Sequence, residues 1–253
     1  MPFTLSHPAI VLPLTYLPRQ WVSLTGVVIG SLTPDFEYFL RMRIKSSYSH
    51  TIDGIFWFDL PLALLLAFIF YNLVCNSLLD NLPTFLKSRF SALRQFDWNK
   101  YFKKNWIIVI VSVLIGATSH ILWDNFTHEH GYFVGIVPSL INKISLFGGE
   151  ISVLKILQHS STFMGGVVIA FVIYKLPTDK VENGEVNLKY WAIFTGLTLT
   201  TIAIRLFCGV ALKEYGNVIV TAISAGVISF ILTPCLMRQQ ATVQRAIKQK
   251  IKR

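Results

Sequence analysis

Five long apolar segments, separated by polar stretches, dominate the pattern of hydrophobic and polar positions along this chain. A helix needs about 20 apolar residues to cross the hydrocarbon core of a bilayer. Segments of about that length, each uncharged or nearly so, occupy residues 60–79, 106–123, 156–174, 190–212 and 216–237. We therefore predict an all-α fold, a polytopic membrane bundle with five transmembrane helices.

Two shorter apolar runs come first, over residues 8–17 and 21–34, with a polar turn around Arg19 between them. At about 1.5 Å per residue, neither run crosses a hydrocarbon core of about 30 Å comfortably. We expect an N-terminal helical hairpin that dips part-way into the bilayer or packs on the bundle. Such a hairpin returns Asp35 to the side where His7 begins.

The composition agrees with a membrane protein. Hydrophobic residues make up 53% of the 253 positions and charged residues 14%, whereas soluble domains usually carry about 25% charge. The three cysteines lie inside predicted spans, where they act most simply as small packing residues. No internal repeat and no long linker divides the chain. We therefore predict one integral membrane domain over residues 1–237, followed by a basic tail at 238–253.

Clusters of Lys and Arg predict the orientation in the membrane. Residues 81–105 contain six Lys/Arg against one acid, and residues 238–253 contain six and no acid. The positive-inside rule places both segments in the cytoplasm. The loops 35–59 and 125–155 then lie outside, with the short turn at 213–214. A tail that touches anionic lipid explains the positive charge without nucleic acid, although an RNA-binding arm is the alternative.

The six histidines lie in polar islands at the ends of apolar segments, and the predicted orientation puts all of them on the outer side. In the densest island, residues 119–131, His120, Asp124 and His128 are spaced four apart and share one face of a helix. Imidazole and carboxylate groups on one stripe suit zinc or a similar divalent cation. The alternative is a helix end with polar residues near water, which Gly131 terminates.

The other polar candidates are more isolated. His130 lies on a different helical face from the stripe, and a lone interfacial histidine such as His50 or His159 is more often hydrogen bonded than bound to metal. Arg205 is the one full charge well inside a predicted span, in its outer half. A charge there is a functional hypothesis by default, and a guanidinium suits an anionic phosphate. A salt bridge to Glu214, or a position at the lipid headgroups, is the alternative.

The chain contains four motifs between residues 2 and 128: PFTLSHPA, GSLTPDFEYF, SHT and IGATSHILWDNFTH. The resemblance that they carry covers roughly residues 1–166. In these motifs the chain resembles a bacterial family of multi-pass membrane proteins of unknown function. That family is similar in pattern to inner-membrane proteins named as metal-dependent hydrolases. The order His, Asp, His, His-x-x-x-Asp, His is also similar to that of zinc-dependent phospholipase C and the related single-strand nucleases.

The resemblance implies a set of metal ligands, namely Asp35, His50, His120, Asp124 and His128, and it extends to His7 and His159. Zinc-dependent phospholipase C also uses a free N-terminal amine and a late His-x-x-x-Glu pair. Here Met1 precedes His7 by six residues, and Phe163 stands four residues after His159. The resemblance therefore implies one or two divalent ions, zinc above all, in place of three.

Together these features predict a metal-dependent hydrolase in the bacterial cytoplasmic (inner) membrane, with its C-terminus in the cytoplasm and lipid around it. It would act at the outer face on a phosphate-containing or lipid-like substrate. Asp35 and Asp124 would be the catalytic carboxylates that orient a metal-activated water, and Arg205 would bind the substrate. The alternative is a non-enzymatic scaffold or transport-associated protein whose metal ties the hairpin to the bundle. Catalytic zinc keeps an open coordination position and structural zinc does not.

Overall fold

A computed structural model describes residues 3–18, 20–129, 131–146, 148–181 and 186–251, with side chains described up to Gln239 except that of Leu146. The helices, numbered in chain order, are α1 (Pro8–Val11), α2 (Leu24–Leu32), α3 (Phe36–Arg41), α4 (Ile52–Asn81), α5 (Thr84–Arg89), α6 (Ser91–Arg94), α7 (Trp98–Thr127), α8 (Tyr132–Ile136), α9 (Val153–Lys175), α10 (Leu188–Phe207) and α11 (Tyr215–Ile251). Strands β1 (Lys143–Leu146) and β2 (Gly149–Ser152) form one antiparallel hairpin.

The predicted all-α membrane fold is confirmed. Five helices, α4, α7, α9, α10 and α11, are long and apolar enough to cross a membrane. Large apolar side chains on them remain exposed: Phe163 is 70%, Leu199 61% and Ile219 56% exposed. Apolar surface on this scale marks contact with a membrane or another apolar partner, and the length of the helices favours a membrane.

Two span boundaries differ from the apolar segments for local reasons. Helix α4 begins at Ile52 and not at residue 60, because the Thr51 hydroxyl accepts a hydrogen bond from the Gly54 N–H at 2.9 Å and caps the helix. Helix α10 ends at Phe207 and not at residue 212, because Gly209 adopts a φ of +104°. That left-handed conformation favours glycine and terminates helices.

The chain folds as two compact units. The first comprises Met1–Glu37, Ser46–Ala67 and Asn99–Leu176, and the second comprises Tyr38–Lys45, Phe68–Trp98 and Pro177–Arg253. The expectation of one domain over residues 1–237 and a separate basic tail stays a prediction. In the second unit α10 packs along α11, where Thr198 donates to the Ser229 hydroxyl at 2.9 Å.

In the first unit the N-terminal hairpin is built from short turns. Helix α1 is followed by a 3₁₀ turn at Leu12–Tyr16 and packs against α2, which begins after the extended Ser23. Arg19, at the predicted tip, lies outside the described residues. The first limb is thus a series of turns in place of a continuous helix, and Pro13 contributes because it has no N–H to donate.

Small residues bring α2 against the middle of α7. A Cβ added at Gly30 would lie 2.3 Å from the carbonyl oxygen of Val113, and one at Gly116 would lie 2.4 Å from that of Val27. No side chain fits at either position, so the two backbones approach as closely as in glycine-mediated packing of membrane helices. This contact determines where the residues after α2 lie along α7.

Helix α9 holds the start of the chain. The backbone N–H of Phe3 donates to the Thr162 hydroxyl at 3.0 Å, and the Ser6 hydroxyl donates to the Thr162 carbonyl at 2.9 Å. The 3₁₀ turn Thr4–Ser6 between them is therefore attached to α9 at both ends, and His7 follows it directly.

Candidate metal centre

The four-residue spacing on α7 produces the expected stripe. His120 Nε2 lies 3.4 Å from Asp124 Oδ2, and both side chains are buried. His120 Nδ1 lies 2.7 Å from the carbonyl oxygen of Ser31 on α2, to which only a protonated Nδ1 can donate. In a neutral ring this bond leaves the lone pair on Nε2, as in many metal-binding histidines. The close contact of α2 with α7 therefore also orients His120.

Asp35 joins His120 from the second limb of the hairpin. It ends the 3₁₀ turn Thr33–Asp35 directly after α2 and is completely buried. The Thr4 hydroxyl donates to its Oδ2. Its Oδ1 lies 3.5 Å from His120 Nε2. The start of the chain and the end of α2 thus cooperate to place one carboxylate oxygen.

His50 reaches the same place from the loop that precedes α4. Its Nε2 lies 3.4 Å from Asp124 Oδ2 and 3.6 Å from Asp35 Oδ1. Its Nδ1 lies 3.1 Å from the Ser49 hydroxyl oxygen and 3.2 Å from that of Ser46. The ring is held on one edge by hydroxyls and presents the other edge to the two carboxylates.

Four atoms consequently face one another: Asp35 Oδ1, His50 Nε2, His120 Nε2 and Asp124 Oδ2. The four distances between imidazole and carboxylate atoms run from 3.4 to 3.6 Å, and these residues' ligand atoms lie within 4.8 Å of one another. A tetrahedral ion with bonds of about 2.0–2.2 Å separates its ligand atoms by about 3.3–3.6 Å. This buried Asp/His cluster, which we call the metal centre, therefore has the dimensions to hold a divalent ion.

Several atoms of the metal centre lack hydrogen bonds. Within the described part of the chain, Asp35 Oδ1, His120 Nε2 and both oxygens of Asp124 are buried and have no hydrogen-bond partner. Leaving one buried polar group unsatisfied costs about 1–3 kcal/mol, and such groups are rare in folded proteins. A cation among the four facing atoms would satisfy Asp35 Oδ1, His120 Nε2 and Asp124 Oδ2 at once.

The protonation of the hairpin residues suits a cation. Burial by itself raises the pKa of Asp35, but His120 and His50 outweigh burial and hold that pKa well below its usual range. Burial, aided by repulsion from His120, lowers the pKa of His7 to about 3. Burial also favours neutral His50, but Asp124 and Asp35 reverse this effect and raise its pKa. Ionised Asp35 and neutral His7 are the forms that bind metal, whereas His50 must release the proton that the two carboxylates favour before its Nε2 can bind an ion.

Two further histidines border the other oxygen of Asp124. His7 Nε2 lies 3.6 Å and His128 Nδ1 3.7 Å from Asp124 Oδ1. The His7 ring stacks on His120 with centroids 3.6 Å apart, and neither His7 nitrogen has a hydrogen-bond partner among the described residues. His128 Nδ1 also lies 2.9 Å from the Asp124 carbonyl oxygen. The His7 side chain is buried, whereas the His128 side chain is 34% exposed.

His159 is not brought into the metal centre. It lines a pocket of about 540 Å³ together with Glu129, Lys143 and Lys155, and it is absent from the group of described residues that could hold an ion. Its assignment as a ligand stays a prediction. His130 lies outside the described residues.

Arg205 lies on α10, in the second unit, with a half-buried side chain. Glu214, its alternative partner, accepts a hydrogen bond from the Asn217 amide at 2.6 Å. Across the described ranges, no salt bridge joins Arg205 to Glu214. The role of Arg205 as a substrate-binding residue stays a prediction.

Glu37 was missed by the sequence analysis although it serves the loop that carries His50. Its carboxylate accepts hydrogen bonds from the backbone N–H groups of Ser47, Tyr48 and Ser49, each at 2.9 Å. The available signal was a second acid placed two residues after Asp35 among aromatic residues. Acids in such surroundings are expensive to bury unless they are hydrogen bonded.

Asp59 was missed as well. It is completely buried, and neither carboxylate oxygen has a hydrogen-bond partner in the part of the chain that the structure describes. It ends a π-helical segment of α4, Ile55–Asp59, that packs against the turn Thr33–Asp35. Segments of this kind frequently occur at functional sites. The apolar pattern assigned Asp59 to the outer loop because the uncharged stretch begins at residue 60.

Comparison with known proteins gives one positive finding. A family model described as a domain of unknown function (DUF4184) matches residues 1–235. No curated protein and no solved structure matches the chain.

Proposed function

The chain belongs to the DUF4184 family, a domain of unknown function, and from its metal centre we propose that it is a membrane-bound, divalent-metal-dependent hydrolase. The substrate would be a phosphate-containing or lipid-like molecule at the outer face of the membrane. One observation carries the proposal: within the described residues, the second oxygen of Asp124 and both ring nitrogens of buried His7 lack hydrogen bonds, although none of them is among the four facing atoms. An ion with a purely structural role needs only four ligand atoms and makes no use of these additional ones.

Zinc is the ion that we propose. Two imidazole nitrogens and two carboxylate oxygens at tetrahedral spacing suit Zn²⁺. Calcium takes six to eight oxygen ligands and magnesium an octahedral set rich in water, so neither suits this group. Buried His7 and the second oxygen of Asp124 would supply ligand atoms for a second ion. His128 would join them through Nε2 after a turn of its ring, because its Nδ1 faces the Asp124 carbonyl oxygen at 2.9 Å. A second ion agrees with the one or two ions implied by the resemblance.

The chemistry follows from the residues around the centre. A bound divalent ion lowers the pKa of a water ligand from about 15.7 towards 7. The carboxylates of Asp35 and Asp124 would orient that water and accept its proton. His128, partly exposed at the edge of the centre, lies where a substrate group would enter. Arg205 would bind an anionic part of the substrate.

The proposed location rests on charge and on the order of the spans. If the basic segments at 81–105 and 238–253 face the cytoplasm, the end of α7 that carries Asp124 faces outward. The enzyme would then be a bacterial inner-membrane protein with a cytoplasmic C-terminus. Membrane lipid would be its surroundings and a possible source of substrate, with no nucleic acid involved.

A structural ion is the second candidate, and one specific observation favours it. The four facing atoms would complete a tetrahedron by themselves, and closed four-ligand sites are typical of structural zinc. In that case the ion would tie the N-terminal hairpin to α7 in a scaffold or transport-associated protein.

Metal content and hydrolysis, measured together, separate these candidates. We expect the purified protein to contain zinc and to hydrolyse at least one member of a panel of phosphomonoesters, phosphodiesters and phospholipids. Asp124→Ala should lose both, whereas Asp53→Asn, an exposed carboxylate near His50, should retain both. Bound zinc without hydrolysis of any substrate would favour the structural ion. A wild-type protein that binds no divalent ion would overturn both.

A further inference from the structure

Glu37 anchors the loop that delivers His50. Its Oε1 accepts a hydrogen bond from the Ser47 N–H, and its Oε2 accepts from the N–H groups of Tyr48 and Ser49, each at 2.9 Å. Glu37 is 2% exposed. One carboxylate thus gathers three successive backbone N–H groups, and these charge-assisted bonds determine the path of the loop just before His50.

The same carboxylate is connected to the imidazole through two serine hydroxyls. Ser46 Oγ donates to Glu37 Oε2 at 3.2 Å and lies 3.1 Å from Ser49 Oγ. Both hydroxyl oxygens lie against His50 Nδ1, at 3.2 and 3.1 Å. A proton on Nδ1 can be donated to either hydroxyl, and the tautomer that carries it leaves the Nε2 lone pair directed at the metal centre.

We propose that Glu37 is a positioning residue of the metal centre, which acts through Ser46 and Ser49 to hold His50 with Nε2 on the ion. The inference rests on the proposed metal site but not on hydrolysis. Asp35 and Glu37 then divide two tasks within one turn: the first supplies a ligand atom, and the second aligns another ligand from a loop. Outer partners of metal-binding histidines orient the ring and increase its basicity.

The first test is zinc affinity, measured by competition with a chromogenic chelator on the purified full-length protein. Glu37→Gln keeps the size of the side chain but has only one carbonyl oxygen, so it cannot accept all of these N–H groups. We expect zinc to bind roughly 10–100-fold more weakly, as for other outer partners of metal ligands. Asp53→Asn makes the same chemical change at an exposed position and should leave the affinity unchanged.

A double-mutant cycle distinguishes positioning from a general loss of structure. If Glu37 acts through His50, the change Glu37→Gln should weaken zinc binding in the wild type but not in a His50→Ala background. Equal losses in both backgrounds would overturn the proposal. Ser49→Ala removes a hydroxyl from His50 without touching the backbone hydrogen bonds. It should weaken binding in the same direction even if Glu37→Gln folds poorly.

The visible spectrum of the Co²⁺-substituted protein gives an independent readout. Loss of His50 alignment should change the ligand-field bands in Glu37→Gln, and the bands of Asp53→Asn should match the wild type. A wild type that binds zinc, with Glu37→Gln binding it equally well, would overturn this inference and leave the proposed function intact. A wild type that binds no metal would overturn both.

Discussion

At the scale of the residue, the degree of burial distinguishes histidines that the sequence analysis treats alike as metal ligands. His120 is fully buried and held by the Ser31 carbonyl, whereas His159 lines an open pocket among lysines and glutamates. An ion stabilises a buried nitrogen that faces two carboxylates far more than it stabilises a nitrogen that water already hydrates.

We therefore predict that His120→Ala loses bound zinc and that His159→Ala retains most of it. The reason is that His120 supplies one of the four facing atoms, whereas His159 supplies none. Metal analysis after dialysis against a weak chelator measures the difference. Equal loss in the two variants would show that His159 joins the centre, and the four-atom geometry would be wrong.

Asp59 leads to a second prediction at this scale. A buried carboxyl group without a hydrogen bond lowers the free energy of unfolding by about 1–3 kcal/mol. Proteins keep such destabilising groups where function requires them. Asp59→Leu should leave the thermal midpoint unchanged or raise it, while hydrolysis falls. The two measurements are a melting curve in detergent and the substrate panel. A strongly lowered midpoint would mean that Asp59 supports the fold.

At the scale of the element, the contact of α2 with α7 places the metal centre. Gly30→Ala would put a methyl group 2.3 Å from the Val113 carbonyl oxygen. The helices must then separate, which moves the Ser31 carbonyl away from His120. We expect a loss of about 1–3 kcal/mol in the free energy of unfolding, together with weaker zinc binding.

Gly166→Ala is the matched control for that prediction, because α9 leaves open space around the added methyl group. It should be neutral or slightly stabilising, since alanine is the better helix former. Denaturation curves and zinc competition on both variants provide the comparison. Similar behaviour of the two would mean that α2 does not determine the position of His120.

At the scale of the whole molecule, the orientation in the membrane decides which compartment the metal centre faces. Two basic segments predict that a reporter at the C-terminus lies in the cytoplasm and that a tag near Asn142 lies outside. Labelling with membrane-impermeant reagents in intact and permeabilised cells measures both positions. A protected tag at Asn142 together with an accessible C-terminus would reverse the orientation and place the metal centre in the cytoplasm.

The sequence alone determined the features that depend on the local spacing of residues and on the thickness of the surrounding bilayer. The five spans follow from the length of the apolar segments, because the thickness of the bilayer sets the length of every helix that crosses it. The proximity of His120 to Asp124 follows from four-residue spacing on one helix. Boundaries were less predictable, because a cap at Thr51 starts α4 before its apolar stretch and a left-handed Gly209 ends α10 inside its own.

Only the tertiary structure decided which distant groups meet. His7 and Asp35 reach the metal centre through the attachment of Thr4–Ser6 to α9 and the glycine contacts of α2. His50 reaches it on the loop that Glu37 holds, and no local pattern encodes these meetings. The resemblance implied which residues are ligands. The tetrahedral spacing of their atoms, and the contacts of each carboxylate oxygen, came only from the structure. Glu37 and Asp59 emerged last, because a carboxylate reveals its role only when its buried surroundings are known.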